Sequence, residues 1–254
     1  PLSNRTVWIT GASSGIGKAL ATRLAGNGNH LVLTARNEAA LEAIRNDASG
    51  NCNITILPAD LSNNECLPAL KSALDELPNG LDTMILSAGN CEYVDVKAFS
   101  SAMVERMSAI NLVGTARCIE AGLPSLRRST KSPHIVGIGS AAAITGLPRS
   151  EAYGASKAAV HNFLESLGLD LAPEGIKVSI VVPGFVDTPL TRKNDFPMPF
   201  LMDDESAATR IIRGIEKRHI RISFPWQLIT LLTTMRLVPE SWRLRLGKSM
   251  VRST

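Results

Sequence analysis

Tyr153 and Lys157 are the two side chains whose types and spacing point most directly to chemistry. They stand four residues apart in the segment YGASK, which begins a long stretch of helical periodicity. Residues four apart on a helix lie on the same face, so the phenol and the ammonium are predicted to be neighbours. A free tyrosine titrates near pH ~10, and a nearby ammonium lowers that pKa because it stabilises the phenolate. The pair therefore predicts a phenol that exchanges protons near neutral pH, although a Tyr/Lys pair alone is also ordinary helix-surface chemistry.

Ser140 follows the fifth predicted strand, at the edge where ligands meet an open α/β sheet. A hydroxyl at that edge can hold the oxygen of a substrate between itself and the phenol of Tyr153. A turn serine with no such role is the alternative interpretation.

A glycine-rich loop, TGASSGIG (residues 10–17), connects the first predicted strand to a helix. Gly11 allows a tight turn, Gly15 leaves room for a phosphate, and Gly17 lets the helix pack closely on the strand. The spacing G-x3-G-x-G differs from the usual GxGxxG, and any strand-to-helix turn favours glycine. Because the loop follows the first strand of a βαβ pattern, it predicts a dinucleotide site. The other loop residues assigned to this site are Ser13, Ser14 and Ile16.

The end of the second predicted strand indicates which dinucleotide is bound. A ribose with a free 2′-OH is usually held by Asp or Glu at this position, but here Ala35 is followed by Arg36 and Asn37. A guanidinium offers a permanently charged, forked set of donors that suits a phosphate. We therefore predict that Arg36 and Asn37 bind the 2′-phosphate of NADP; a surface arginine that caps the next helical region is the alternative.

The elements that must position these residues alternate between short apolar runs and longer helical patterns. Strands are predicted at 6–10, 30–34, 54–57, 83–86, 134–138 and 178–182, with a last short one near 220–222. Helices are predicted after the glycine-rich loop through about Ala25, from Glu38, and within 100–126 and 150–171. Pro183 and Gly184 are predicted to end the sixth strand, and residues 185–203 to be irregular. This order predicts an α/β fold, a Rossmann-like doubly wound parallel sheet with helices on both faces.

A length of 254 residues and the lack of a linker favour a single domain, 1–254, with 44% hydrophobic and 20% charged residues. Within it, residues 1–182 are predicted to form the dinucleotide-binding core and 183–254 a substrate lid and C-terminal extension. Four scattered cysteines and four dispersed histidines predict neither a metal site nor a disulfide framework. With no signal-peptide pattern and no apolar stretch of ~20 residues, we expect a cytoplasmic protein.

The C-terminal segment is basic, with ten Lys/Arg against three Asp/Glu in residues 205–254. Its apolar stretch WQLITLLTTMRLV (226–238) is too short to span a bilayer, but could lie on an anionic membrane surface. Burial against a second subunit or over the active site is the simpler alternative. With two tyrosines and no basic stripe interleaved with aromatic residues, nucleic-acid binding is not expected.

The motifs together resemble the short-chain dehydrogenase/reductase family over almost the whole of residues 5–190. Beyond the segments already quoted, the matching residues are Asp60-Leu61, Ala88-Gly89, Asn111, and Pro183-Gly184 through Val186 and Thr188. The resemblance implies a catalytic tetrad of Asn111, Ser140, Tyr153 and Lys157. In it Tyr153 acts as general acid or base, Ser140 polarises the carbonyl, and Asn111 holds a water that links Lys157 to solvent protons.

The resemblance also implies positions for the two ends of the cofactor. It places Asp60 near the adenine, with a helix N-cap as the alternative role, and Val186 and Thr188 near the nicotinamide amide. One residue departs from the family pattern, since Ser87 stands where members usually have an Asn that braces the central sheet. This departure puts the bracing and the cofactor affinity in doubt, and whether Asn90 compensates is left open.

The expected function is that of an NADP(H)-dependent oxidoreductase that interconverts a carbonyl and a secondary alcohol. Apolar residues at Phe185, Phe196, Met198 and Phe200 suggest a hydrophobic ketone, aldehyde or 3-oxoacyl substrate, or alternatively ordinary lid packing. A non-catalytic NADP-binding regulator or scaffold is the competing function. The resemblance further implies a homodimer or homotetramer.

Overall fold

The computed structural model describes residues 2–48 and 52–248. The last part of the basic C-terminal segment, residues 249–254, lies outside these ranges. The strands are β1 (Thr6–Thr10), β2 (His30–Thr34), β3 (Asn53–Ile56), β4 (Thr83–Leu86), β5 (His134–Ile138), β6 (Lys177–Pro183), β7 (Val186–Asp187), β8 (Met202–Asp203) and β9 (Arg221–Phe224). The α-helices are α1 (Gly15–Ala25), α2 (Glu38–Asp47), α3 (Leu67–Asp75), α4 (Ser101–Ser108), α5 (Gly114–Arg127), α6 (Glu151–Leu171), α7 (Asp204–Glu216), α8 (Trp226–Leu237) and α9 (Glu240–Lys248).

Seven strands form one parallel sheet in the order β3-β2-β1-β4-β5-β6-β9. The order reverses direction between β1 and β4, which is the point where open α/β sheets bind ligands at the carboxyl ends of their strands. The predicted Rossmann-like doubly wound sheet in a single domain is therefore confirmed. Among the helices described, none is long and apolar enough to cross a membrane.

Successive residues of the central strands are buried on opposite faces of the sheet. In β1, Val7 and Ile9 pack in the cluster that contains Leu20 of α1 and Ile211 of α7. Trp8, between them, packs in the cluster on the other face, which contains Leu70 of α3, Cys118 of α5 and Leu164 of α6. Both faces are covered, so the strands are apolar throughout instead of alternating with polar residues.

The helical pattern over 100–126 is interrupted where a single continuous helix was expected. Between α4 and α5, residues Ala109–Val113 adopt π-helical hydrogen bonding, and Asn111 is buried within this segment. A π-helical turn contains an extra residue, so it changes the direction in which the following side chains point. The periodicity of the sequence did not reveal this insertion.

Two smaller differences lie after the sixth strand. β6 includes Pro183, because the next N–H, that of Gly184, still donates to Phe224 O across 2.7 Å and extends the contact with β9. Residues 185–203 were expected to be irregular, but β7 and β8 pair in parallel within them. Short 3-10 helices lie at Asn64–Cys66, Val96–Ala98, Ala141–Ala143, Ala172–Glu174 and Thr191–Lys193.

Candidate active site

A cleft of about 850 Å³ opens at the carboxyl ends of the parallel strands. The loops that follow β1, β2, β3, β4, β5 and β6 all contribute to its walls. The sequence-predicted site residues that line it are Gly11, Ser13, Ser14, Gly15, Ile16, Arg36, Asn37, Asp60, Leu61, Ala88, Gly89, Ser140, Tyr153, Lys157, Pro183, Gly184, Val186 and Thr188. Gly17 and Asn111, which complete the predicted set, lie directly behind this lining.

The glycine-rich loop turns into α1 where a side chain would not fit. Gly11 and Gly15 have φ of 67° and 50°, a left-handed conformation that costs glycine little. A Cβ on Gly17 would lie 2.2 Å from Gly11 O, and one on Gly15 would lie 2.9 Å from the Thr188 methyl carbon. The backbone at the amino end of α1 therefore faces the cleft without side chains in the way, as an anion site requires.

Thr10 ties the end of β1 to the loop after β4. Its buried hydroxyl accepts hydrogen bonds from the N–H groups of Ser87 and Ala88, both at 3.2 Å. A Cβ on Gly11 would lie 2.8 Å from the Ala88 backbone, so the two loops are in close contact. Sequence reasoning did not identify this brace, which holds the backbone at the position where Ser87 replaces the family's usual asparagine.

Asn111 fastens the loop after β4 to α6. Its Oδ1 accepts from Asn90 N at 2.9 Å, and its Nδ2 donates to Asn90 O at 3.0 Å and to Ser156 Oγ at 2.9 Å. A Cβ on Gly89 would lie 2.9 Å from Asn111 Oδ1 and 3.3 Å from Lys157 Nζ. The amide and the ammonium thus converge beside Gly89, which has no side chain to separate them.

Tyr153 and Lys157 lie one turn apart in α6, as their spacing predicted. Lys157 is buried, and its Nζ donates to Ile138 O at 2.8 Å. Tyr153 and Ser140 both line the cleft, so the structure brings the phenol and the hydroxyl to the same site.

The direction in which the pKa of Tyr153 is shifted differs from the sequence-based expectation. Burial raises the pKa of Tyr153 to about 12, against the opposing effect of the Ser140 side chain. Burial likewise lowers the pKa of Lys157 to about 8. The expectation rested on the ammonium and on the charge of a bound nicotinamide, whereas in the folded chain the removal of the phenol from water dominates.

Ser140 is held in place by its neighbours on both sides. Its Oγ accepts from Ala142 N at 3.1 Å, and its own N–H donates to His161 Nε2 at 3.3 Å. Burial, followed by the charges of Arg221 and Lys157, lowers the pKa of His161 to about 4, so the imidazole is neutral and can accept. Sequence reasoning gave His161 no role in the site; its place four residues after Lys157, on the same helix face, was the available signal.

The other end of the cleft carries the predicted 2′-phosphate residues. Arg36 is exposed, and within the described ranges its guanidinium makes no hydrogen bond or ion pair. Asn37 caps α2, with Oδ1 accepting from Ala40 N at 3.1 Å, which leaves its amide NH2 to donate. The residue that caps the helical region is therefore Asn37, and the alternative capping role for Arg36 is wrong.

Asp60 stabilises the turn after β3. Its Oδ1 accepts from Ser62 N at 3.0 Å and from Ser62 Oγ at 2.7 Å, and these bonds lower the pKa of the carboxyl. The charge of Arg36 acts in the same direction. The alternative helix-cap role is wrong, because Asn63 caps the 3-10 helix that begins the next helical region.

Comparison with known proteins gives one consistent assignment. The model of the short chain dehydrogenase family matches residues 5–197. An uncharacterized oxidoreductase of Myxococcus xanthus is 36% identical over 241 residues, which cover 94% of each chain. An uncharacterized oxidoreductase of Staphylococcus aureus is 33% identical over 87% of this chain and 96% of its own.

Two solved structures have the same fold. A short-chain dehydrogenase from Sphingobium yanoikuyae in complex with NADPH has a TM-score of 0.79 at 28% identity, with 98% of this chain and 97% of the other covered. A short-chain dehydrogenase from Streptomyces avermitilis has a TM-score of 0.78 at 26% identity, with 96% and 95% covered.

Proposed function

Because this chain belongs to the short chain dehydrogenase family, we propose that it is an NADP(H)-dependent oxidoreductase that interconverts a carbonyl and a secondary alcohol. The observation that carries the proposal is that Ser140, Tyr153 and Lys157 line the same cleft, with Lys157 one helical turn after Tyr153 in α6. The relatives are named as oxidoreductases, and no observation favours the non-catalytic alternative.

The residues of the cleft fit a nicotinamide dinucleotide. At the start of α1, Gly11 and Gly15 add no side chain to the cleft wall where a pyrophosphate would approach the helix dipole. Arg36 places an exposed guanidinium at the end of β2, where Asp or Glu would repel a 2′-phosphate. The neighbouring structure from Sphingobium yanoikuyae binds NADPH, which supports the same choice for this chain.

In this proposal the protein binds the cofactor, orients the substrate carbonyl and supplies the proton. The residues that hold the cofactor are Gly11, Ser13, Ser14, Gly15, Ile16, Gly17, Arg36, Asn37, Asp60, Leu61, Ala88, Gly89, Tyr153, Lys157, Pro183, Gly184, Val186 and Thr188. When bound, NADPH supplies the hydride for reduction, and NADP accepts it in the reverse direction. The proton that accompanies it moves to or from the hydroxyl of Tyr153.

Tyr153 and Ser140 would hold the carbonyl oxygen between their hydroxyls. With a pKa of about 12, Tyr153 is protonated at neutral pH and is therefore ready to act as a general acid. Ser140 is fixed through its backbone by His161, so its hydroxyl is positioned in advance. Such preorganised donors stabilise the charge that develops on the oxygen.

Lys157 and Asn111 would complete the tetrad. The Lys157 ammonium would stabilise the phenolate left after proton transfer and would donate to the ribose of the cofactor. Asn111 and Lys157 both approach Gly89, and Asn111 would hold the water through which the proton is replaced.

The substrate class proposed is a hydrophobic ketone, an aldehyde or a 3-oxoacyl compound, with reduction as the favoured direction. Phe185 and Phe196 make an edge-to-face contact, with ring centroids 6.0 Å apart, in the segment after β6. The support for a hydrophobic substrate is the apolar part of the cleft lining, which includes Met107, Ile110 and Leu190.

The experiment that tests the proposed function measures NADPH consumption over a panel of ketones, aldehydes and 3-oxoacyl thioesters, with NADH as a parallel cofactor. We expect NADPH-dependent reduction of apolar members of the panel. Tight NADPH binding with no turnover of any carbonyl or alcohol would overturn the enzymatic proposal.

Three broader expectations stay predictions. They are a cytoplasmic location, a homodimer or homotetramer, and peripheral contact of the basic C-terminal segment with an anionic membrane. Liposome co-sedimentation of the full chain against a version truncated after Phe224 tests the last of these, and equal recovery in the supernatant would contradict it.

A further inference from the structure

We propose that Tyr93 is a specificity-determining residue, whose hydroxyl fixes the segment 185–203 at the mouth of the cleft and so sets the fit of the substrate. Residues 185–203 are called the substrate segment below. The proposal rests on the proposed function, because it concerns the substrate of the same site.

A hydrogen bond joins two parts of the chain that are far apart in sequence. Tyr93, in the loop after β4, donates from its hydroxyl to Asn194 Oδ1 at 2.7 Å. Asn194 in turn donates from Nδ2 to Met198 Sδ at 3.2 Å. The Tyr93 phenol therefore holds the side-chain amide of Asn194, and the same amide bonds Met198 within the substrate segment.

Aromatic contacts extend the same attachment. The Tyr93 and Phe196 rings meet edge to face, with centroids 5.4 Å apart and planes at 89°. Phe196 also meets Phe185, which follows the cleft residue Gly184. A row of three rings thus runs from the loop after β4 to the wall of the cleft.

Arg149 supports the other side of the Tyr93 ring. Its guanidinium carbon lies 5.4 Å from the ring centroid, and its Nη1 lies 2.9 Å from Asp195 Oδ1. The Arg149 carbonyl accepts from Val94 N at 3.0 Å, although Arg149 has a φ of 63°, which is uncommon for a residue with a side chain. Arg149 therefore contacts both Tyr93 and the residue that follows Asn194.

Tyr93 also lies close to the groups proposed to react. It lies within electrostatic range of Cys91 and Tyr153, and Cys91 lies within electrostatic range of Lys157. Burial, followed by the effects of Cys91 and Tyr153, raises the pKa of Tyr93, so its hydroxyl keeps its proton and stays a donor. The attachment thus links the substrate segment to the immediate surroundings of Tyr153.

These contacts determine how the substrate segment meets a substrate. Pro189, Leu190 and Thr191 of the substrate segment line the cleft, so the position in which Tyr93 holds the segment sets the room for a substituent on the carbonyl carbon. If the hydroxyl of Tyr93 is removed, the segment loses the bond that holds Asn194, while no residue proposed to hold the cofactor loses a hydrogen bond. The loss should therefore weaken binding of bulky apolar substrates more than it changes NADPH affinity.

The chain offers a readout that needs no activity, since Arg192 and Lys193 are trypsin sites directly before Asn194. We expect Tyr93→Phe to raise the rate of cleavage after these residues about three- to tenfold, in line with a lost hydrogen bond between neutral groups. Asn194→Ala should have a similar effect, and the double variant should add little to either.

Arg149→Met and Arg127→Met form a matched comparison. Each removes an arginine that is paired with a carboxylate and is similarly exposed, at 42% and 49%, but Arg127 pairs with Glu174 away from the cleft. Arg149→Met should accelerate the same cleavage, whereas Arg127→Met should not.

Kinetics then test specificity. For Tyr93→Phe we expect KM for a bulky apolar carbonyl to rise about three- to tenfold, with a smaller change for a short-chain carbonyl and with NADPH affinity retained. Unchanged cleavage after Arg192 and Lys193 would overturn the attachment, and equal KM changes for small and bulky substrates would overturn the role in specificity. If no carbonyl is turned over by the unaltered protein, the proposed function fails, while the proteolysis result still reports on the attachment.

Discussion

Lys157 Nζ donates to the carbonyl oxygen of Ile138 across 2.8 Å, and so joins helix α6 to the end of strand β5. Ile138 is the last residue of β5, two positions before Ser140, and Lys157 is one turn after Tyr153. The bond thus fixes the distance between the two elements that carry the proposed proton donor and the proposed carbonyl ligand. It also explains how a buried ammonium finds a partner in a protein interior.

The first prediction concerns pH. Because its pKa is lowered to about 8, Lys157 loses its proton above that pH. The neutral amine no longer supplies the charge proposed to bind the cofactor ribose and to stabilise the Tyr153 phenolate. We expect kcat/KM for NADPH, which reports the ionisations of the cofactor-free protein, to be level below about pH 7 and to fall as pH rises through 8. Lys157→Arg should move the fall to higher pH, because a guanidinium stays charged. An identical pH profile in the variant would contradict the assignment.

The second prediction concerns His161, which accepts the N–H of Ser140. His161→Leu leaves that N–H without its acceptor, and we expect kcat to fall about tenfold, with a loss of about 1–3 kcal/mol in the free energy of unfolding. His161→Gln restores an acceptor and should recover part of kcat. NADPH affinity, measured by titration calorimetry, should be retained in both variants. If Gln and Leu lower kcat equally, the imidazole does not position Ser140.

The third prediction uses two glycines with opposite surroundings. In Gly89→Ala the added methyl would lie 2.9 Å from Asn111 Oδ1, and Asn111 cannot move freely because it bonds Asn90 and Ser156. We expect a loss of about 1–3 kcal/mol in unfolding free energy and at least a tenfold loss of kcat. Gly146→Ala is the control, since its methyl would have no neighbour within 4 Å. If the two variants behave equally in thermal unfolding and turnover, Asn111 and Lys157 do not pack against Gly89 as described.

The fourth prediction tests the choice of cofactor. Arg36→Ala removes the guanidinium proposed to bind the 2′-phosphate, and a lost charge-assisted hydrogen bond corresponds to about a 10- to 100-fold weaker interaction. We expect KM for NADPH to rise by that factor while KM for NADH stays within about twofold. An unchanged preference for NADPH in the variant would exclude this role for Arg36.

The sequence was sufficient to predict the parts of the molecule that depend on local patterns. Apolar runs of five residues predicted β1, β2 and β5 with their observed bounds, because buried parallel strands are apolar throughout. The glycine-rich loop was predicted from its glycine spacing and its place after the first strand of a βαβ pattern. The family resemblance supplied positions that local patterns cannot connect, such as Asp60, Gly89 and Asn111.

Contacts between distant residues could not be predicted in the same way. The bond between Tyr93 and Asn194 spans 101 positions, and that between Ser140 and His161 depends on how α6 packs on β5. The pKa of Tyr153 was predicted in the wrong direction because the cost of burial depends on packing, which spacing does not reveal. The π-helical turn at Asn111 likewise follows from tertiary contacts and not from periodicity.

The most direct test of the central claim measures turnover and NADPH binding together in Tyr153→Phe, with the best carbonyl from the substrate panel. The variant keeps the aromatic ring but removes the proton donor. We predict that kcat falls by at least about 10²-fold, while the Kd for NADPH stays within about threefold of the unaltered protein. Turnover near the original rate, with NADPH still bound, would contradict the proposal that the Tyr153 hydroxyl carries the proton.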